Sequence, residues 1–260
     1  MEDILDISLV QLIAAYIFVI ILLFIVKHEQ IGNEWQIILA NFRMTVQLVL
    51  VGYLLTYIFA NPNLFSSIII LLLMQGFAVQ NIYGRVSDIS IDLKKIIAIA
   101  MFTGTVITIF YFILIVINLN PWYQPQYFIP LAGMLIGNSM TGISLGVEGI
   151  ISGLKNNQTM IENALMLGGK PELITKNITS RAFYQAILPT INSMMGMGIV
   201  FLPGMMTGQI LAGATPLTAI KYQIAIMLGI MGSVTLTVYI MIKWGSRTFF
   251  NDRLQLKTEL

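Results

Sequence analysis

Cysteine is absent from all 260 residues, so neither a disulfide nor a thiolate metal ligand is available. Charge is scarce too: Asp, Glu, Lys and Arg make up 10% of the chain, and His28 is the one histidine. A positive n-region is missing, because Glu2, Asp3 and Asp6 stand where a signal peptide carries Lys or Arg, and no small-residue cleavage site follows. The first apolar run is therefore expected to stay in place as a membrane helix. No G-x-x-x-x-G-K-[ST] phosphate loop occurs. Gly169-Lys170 is followed by Pro171, which has no hydroxyl for magnesium, and Ala164 stands where the first glycine belongs. Gly196-x-Gly198 lacks a third glycine and falls in an apolar run, which excludes a dinucleotide fold. The chain is expected to be no enzyme and to bind no cofactor; nucleotide, if used, binds elsewhere.

What remains is apolar. Hydrophobic side chains make up 57% and mean hydropathy is +0.84, far above a soluble domain of this size. Runs long enough to cross a hydrocarbon core of roughly 30 Å recur with few charges inside. They predict an all-α, polytopic membrane protein with about seven spans, near 4–26, 43–60, 65–83, 96–117, 127–151, 186–208 and 219–242. No repeat, linker or low-complexity tract divides the chain, which reads as one transmembrane domain over 1–260 with a polar hairpin at about 155–185.

Sidedness follows from the basic residues, which resist translocation. With the N-terminus outside, Lys27, Arg43, Arg85, Lys94, Lys95, Lys155, Lys170, Lys176, Arg181, Lys243, Arg247, Arg253 and Lys257 all fall inside, and Lys221 alone falls outside. An outside N-terminus, an inside C-terminus and an odd number of spans are expected. The net charge of +2 calls for no nucleic-acid partner; the lipid bilayer accounts for the clustered bases. The external connections are short, and one, Asn118 to Gln126, carries Trp122 and Tyr123 at headgroup level. Inside, Asn33 to Gln36 has the side chains of a helix cap, so an interfacial helix is expected to begin there and run into the second span.

Lys155 to Arg181 is the one extended polar segment. Thr159 and Glu162 have the spacing of a capping box, and Met160, Ile161, Ala164, Leu165 and Leu167 put apolar groups mainly along one helical face. Gly168 and Gly169 supply a stop, and Pro171 suits the first position of a second helix. The chain is expected to return to the membrane near Leu188 and Pro189. Such a hairpin either lies on the bilayer or docks a partner. Glu162 to Gly168, E-N-A-L-M-L-G, resembles the E-A-A-x-x-x-G signature of importer permeases, in which a short internal helix enters a groove on a separate nucleotide-binding subunit. Asn163 replaces the first alanine, and Leu188-Pro189 arrives late for that signature. Both sequons, at Asn157 and Asn177, lie on the internal side and should be unglycosylated.

Polar groups inside spans carry the next signal, because hydrocarbon penalises them. Asn138, Thr141, Ser144 and Glu148 share one face of the fifth span, within about 120°. That face either lines a cation path or packs tightly through Gly133, Gly137, Gly142, Gly146 and Gly149. Gln47, Gln75 and Gln80 are lesser candidates. Sixteen methionines are present, and Met194, Met195, Met197, Met205 and Met206 crowd the sixth span. A thioether suits copper(I), while iron(II) prefers imidazole and carboxylate, so Glu148, Met194, Met205 and Met206 are candidate metal ligands against a background of flexible packing. Pro203-Gly204 removes a helix hydrogen bond and is a candidate hinge.

LPGMMTGQILAG at Leu202 to Gly213, Pro216, KYQ at Lys221 to Gln223, GNSMTGISLG at Gly137 to Gly146 and LGG at Leu167 to Gly169 resemble the FetB family of iron-export permeases, which includes plant aluminium-tolerance membrane proteins. The likeness covers nearly the whole chain. It implies the cell-membrane subunit of an ATP-binding-cassette transporter, with ATP and magnesium on a separate ATPase and an assembly of two permeases with two ATPases. It also implies iron export, with UDP-glucose tied to plant relatives. Thr159, Glu162, Leu165, Gly168 and Gly169 would then couple to the ATPase, and Asn138, Thr141, Ser144 and Glu148 would line the path. A UDP-sugar permease, and a passive channel or scaffold without an ATPase, are the competing readings.

Overall fold

The computed structural model describes residues 7–86, 89–251 and 253–257; Glu2, Asp3 and Asp6 lie outside these. The chain is all-α, with eleven α-helices and no strand among the described residues. Among the described residues six helices are long and apolar enough to cross a membrane: Leu9–His28, Glu34–Ala60, Leu64–Arg85, Ile91–Val116, Pro125–Asn156 and Pro216–Phe249. It is a multi-pass membrane protein. Two compact units are distinguished, one running to Pro62 together with Leu211–Gly213 and the other comprising Asn63–Ile210 and Ala214–Leu260.

The first unit holds α1 (Leu9–Ala15), α2 (Ile17–His28) and α3 (Glu34–Ala60). Ser8 starts α1 with a capping box: its N–H donates to Gln11 Oε1 at 2.8 Å, and the Gln11 N–H donates to Ser8 Oγ at 3.4 Å. Tyr16 interrupts the helix for one residue, and its hydroxyl bonds that of Thr45 on α3. The helix expected at Asn33 does begin at Glu34 and runs unbroken through Arg43. Asn33 itself is left-handed, with φ of 68°, and its side chain makes no cap bond.

The second unit is built around α6 (Pro125–Asn156), against which α4 (Leu64–Arg85), α5 (Ile91–Tyr111), α9 (Lys176–Gly196) and α11 (Pro216–Gly245) pack. Phe128, Ala132, Leu135, Ser139, Ile143, Gly146, Ile150 and Leu154 recur every three or four residues along α6, and all are buried. Two polar contacts cross this core: the Ser139 and Ser233 hydroxyls lie 2.8 Å apart, and Gln75 Nε2 donates to Thr105 Oγ1. Gln75 is thus buried in this core with its Oε1 left without a hydrogen-bond partner among the described residues, whereas Gln47 and Gln80 are exposed. Trp122 packs on Phe110 and Phe128, with ring centroids 5.4 and 6.1 Å away, so it serves this core rather than standing free at the headgroups.

Close approach explains most of the α6 glycines, though not Gly137, where an added Cβ would meet nothing within 4 Å. A Cβ on Gly142 would lie 2.8 Å from Val234 Cγ1, and one on Gly149 would lie 3.1 Å from Ala182 Cβ. The span read at 186–208 takes a different form. Its helix, α9, already begins at Lys176, because Ile178, Ala182 and Ala186 bury one face against α6 while the polar residues between them point outward. It stops at Gly196; residues 197–203 are irregular, and α10 (Gly204–Leu211) follows. Met197 is already extended, with ψ of 135°, and Gly198 follows at a φ of +84°, so helical continuity is lost before Pro203 is reached.

Candidate functional site

The hairpin follows α6 almost without pause. Asn157 alone separates α6 from α7 (Gln158–Met166), and its Nδ2 donates to Gly153 O at 2.8 Å. The capping box read at Thr159 and Glu162 does not form. A cap requires extended backbone, but Asn157 arrives from a helix with φ −118° and ψ 17°, so Thr159 already lies inside the helix. Glu162 Oε1 instead accepts from Gln158 Nε2 at 2.8 Å, one turn back. Gly168 and Gly169 do close the helix. With Gly168 at φ +83°, its N–H donates to Leu165 O at 2.9 Å and the Gly169 N–H donates to Ala164 O at 3.0 Å, the paired bonds of a Schellman turn. Pro171 opens α8 (Pro171–Ile174), and after Thr175 the chain enters α9.

Ile161 anchors the hairpin, fully buried, and Leu165 is half-buried. The tip is apolar yet uncovered: Met166 is 78% exposed, Leu167 90% and Leu173 70%. From α8, Glu172 Oε1 accepts from Arg247 Nη2 at 2.7 Å, tying the hairpin to the 3₁₀ turn Ser246–Phe249 beyond α11.

Above the hairpin, two clefts run into each other along the α6–α9 seam. One, of about 460 Å³, is lined by Ser152, Asn156, Asn157, Asn177, Arg181 and Gln185 among others. The other, of about 500 Å³, is lined by Leu145, Glu148, Gly149, Ser152, Gln185, Leu188, Pro189 and Asn192. Gly149, Ser152 and Gln185 belong to both. The predicted polar face of α6 thus divides. Glu148 opens on the crevice; Ser144 is buried and donates to Met140 O at 3.0 Å. Asn138 and Thr141 donate to Met134 O and Gly137 O at 2.8 and 3.2 Å, their own helix carbonyls.

The methionines stand apart. Met194 and Met195 are exposed near the end of α9, Met205 is half-buried and Met206 buried in α10, and none of the four lines the Glu148 crevice. Met197 Sδ accepts from Gln223 Nε2 at 3.7 Å. Among the described residues no three His, Cys, Asp or Glu side chains gather where they could share a metal. Gln185 and Asn192 were not singled out in the sequence; the available signal was polar residues at 181, 185 and 192 around a proline in an otherwise helical stretch.

The family described as "Uncharacterised protein family (UPF0014)" matches residues 9–250. The UPF0014 membrane protein YjkA of Bacillus subtilis is 35% identical over 241 residues, 93% of this chain and 95% of that one. Protein ALUMINUM SENSITIVE 3 of Arabidopsis thaliana is 32% identical, covering 95% of this chain and 89% of its own length. The probable iron export permease protein FetB of Escherichia coli is 29% identical over 247 residues, 95% of this chain and 93% of that protein. No solved structure matches.

Proposed function

The chain belongs to the UPF0014 family, and from that premise we propose that it is the membrane permease subunit of an ATP-driven transporter exporting iron or a similar metal cation. The hairpin carries this reading. Leaving Met166, Leu167 and Leu173 in water forgoes about 2 kcal/mol each, a cost that a groove on a partner would remove. The Schellman turn gives that apolar tip one fixed shape, and the partner supplies the ATP and magnesium site this sequence lacks. Two permeases and two ATPases, with the N-terminus outside and the hairpin inside, complete the arrangement.

Reconstitution of the chain with its ATPase tests it: ATP should drive iron(II) across the bilayer, and hydrolysis without metal movement would overturn it. One observation favours a second cargo, a UDP-sugar, because Arg181, Asn156 and Asn177 line the inner cleft. A diphosphate carries at least two negative charges, however, and Arg181 is the one basic side chain lining that cleft.

A further inference from the structure

We propose that the Glu148 crevice is half of an oxygen-lined site for a divalent cation, completed by a second copy of this chain whose own Glu148 supplies the second carboxylate. This rests on the permease reading and gives its cargo a chemical class.

The donors are all oxygen. Glu148 brings a carboxylate, Ser152 a hydroxyl, and Gln185 and Asn192 their amide oxygens. Pro189 adds a backbone ligand: having no N–H, it leaves the Gln185 carbonyl, four residues earlier on α9, without its helix partner. Gly149 makes room for the amide, since a Cβ there would sit 2.9 Å from Gln185 Oε1. No sulfur or imidazole lines the crevice. Such a set suits magnesium, manganese or iron(II) and excludes the soft-metal chemistry that the methionines alone suggest.

One copy leaves the site unfinished. Glu148 is exposed and, among the described residues, makes no ion pair and no side-chain hydrogen bond. It lies seven residues inward of Lys155 on α6, about 10 Å along the axis, where lipid would penalise a bare carboxylate. A single carboxylate also leaves a divalent ion with net charge in a low-dielectric setting, and no second carboxylate lines the crevice. A twofold axis beside α6 and α9 answers both problems, because it seats the two Glu148 side chains on one ion and covers the polar groove with protein.

The full-length chain in detergent, titrated with manganese(II) and followed by the loss of the free-ion paramagnetic resonance signal, tests this. One ion per two chains is expected, with binding weakened about tenfold or more in Glu148→Gln and unchanged in Met205→Leu. One ion per chain, no binding, or undiminished binding in Glu148→Gln would overturn the shared site. Should Glu148→Gln fold poorly, Glu148→Cys in this cysteine-free chain gives an independent reading. A short thiol crosslinker should yield covalent dimers, and monomer alone refutes the arrangement. Equilibrium binding needs no ATPase, so manganese bound without ATP-driven transport sinks the export reading only, while transport undiminished in Glu148→Gln sinks this one only.

Discussion

At Gly169 an added methyl group has nowhere to go: it would meet Ala164 O at 2.8 Å and Ile174 Cδ1 at 2.9 Å, the backbone of one helix and the side chain of the next. Gly169→Val is therefore expected to open the turn between α7 and α8, lowering both the thermal midpoint and the yield of ATPase recovered with the permease. Leu167, two residues earlier, gives the contrasting case. Being 90% exposed, it contributes almost nothing to the isolated chain, so Leu167→Ser should leave the unfolding free energy within about 0.5 kcal/mol of wild type and the thermal midpoint nearly unmoved. Its loss should still weaken ATPase association by about tenfold, the worth of one apolar side chain withdrawn from a groove. Equal retention of the ATPase by both variants would refute a docking role for this tip. The glycine pair was readable in the sequence because the requirement is local: a left-handed residue after a helix needs glycine wherever it occurs. Thr159 and Glu162 were misread for the complementary reason. Their spacing is right for a cap, but whether the preceding residue is extended depends on how far α6 continues, and that is set by the burial of Leu154 and Ile150 rather than by Thr159.

Along α9 two demands oppose each other at Pro189. An interior proline costs a helix about 3 kcal/mol relative to alanine, so Pro189→Ala should raise the thermal midpoint of the detergent-solubilised chain. The same change returns an N–H to the Gln185 carbonyl, and manganese(II) should then bind several-fold more weakly despite the gain in stability. Parallel change in both quantities would show that Pro189 serves shape alone. This element was only half legible. Hydropathy averages found the apolar half of α9 and passed over Lys176 to Arg181, although Ile178, Ala182 and Ala186 at intervals of four already mark a buried stripe. A window that sums hydropathy discards that periodicity, and with it the register that places Gln185 and Asn192 on the side facing Glu148. The break at 197–203 is expected at Pro203-Gly204, yet it opens at Met197, whose backbone is extended, with Gly198 at positive φ behind it.

Across the whole molecule, the hairpin touches one end of each of three long helices. α7 continues α6, α8 leads into α9, and Glu172 reaches Arg247 at the end of α11. A push on Leu167 thus reaches the α6–α9 seam and α11 together. The Glu172–Arg247 pair is about two-thirds exposed on both sides, so as a stabilising contact it is worth at most about 1 kcal/mol. As a mechanical link its value is separate from its strength: Glu172→Arg should reduce ATP-driven transport with little effect on the thermal midpoint, and Arg247→Glu added to it should restore transport. All of this requires the hairpin to be internal. The absence of cysteine makes that directly measurable, since any single introduced thiol is the only one labelled. In intact cells a membrane-impermeant maleimide should modify Asn118→Cys, beyond the external end of α5, and leave Gln158→Cys and Lys257→Cys untouched until the membrane is broken. Labelling of Gln158→Cys from outside would reverse the orientation, put the apolar tip where no cellular ATP is available, and remove the physical basis for coupling.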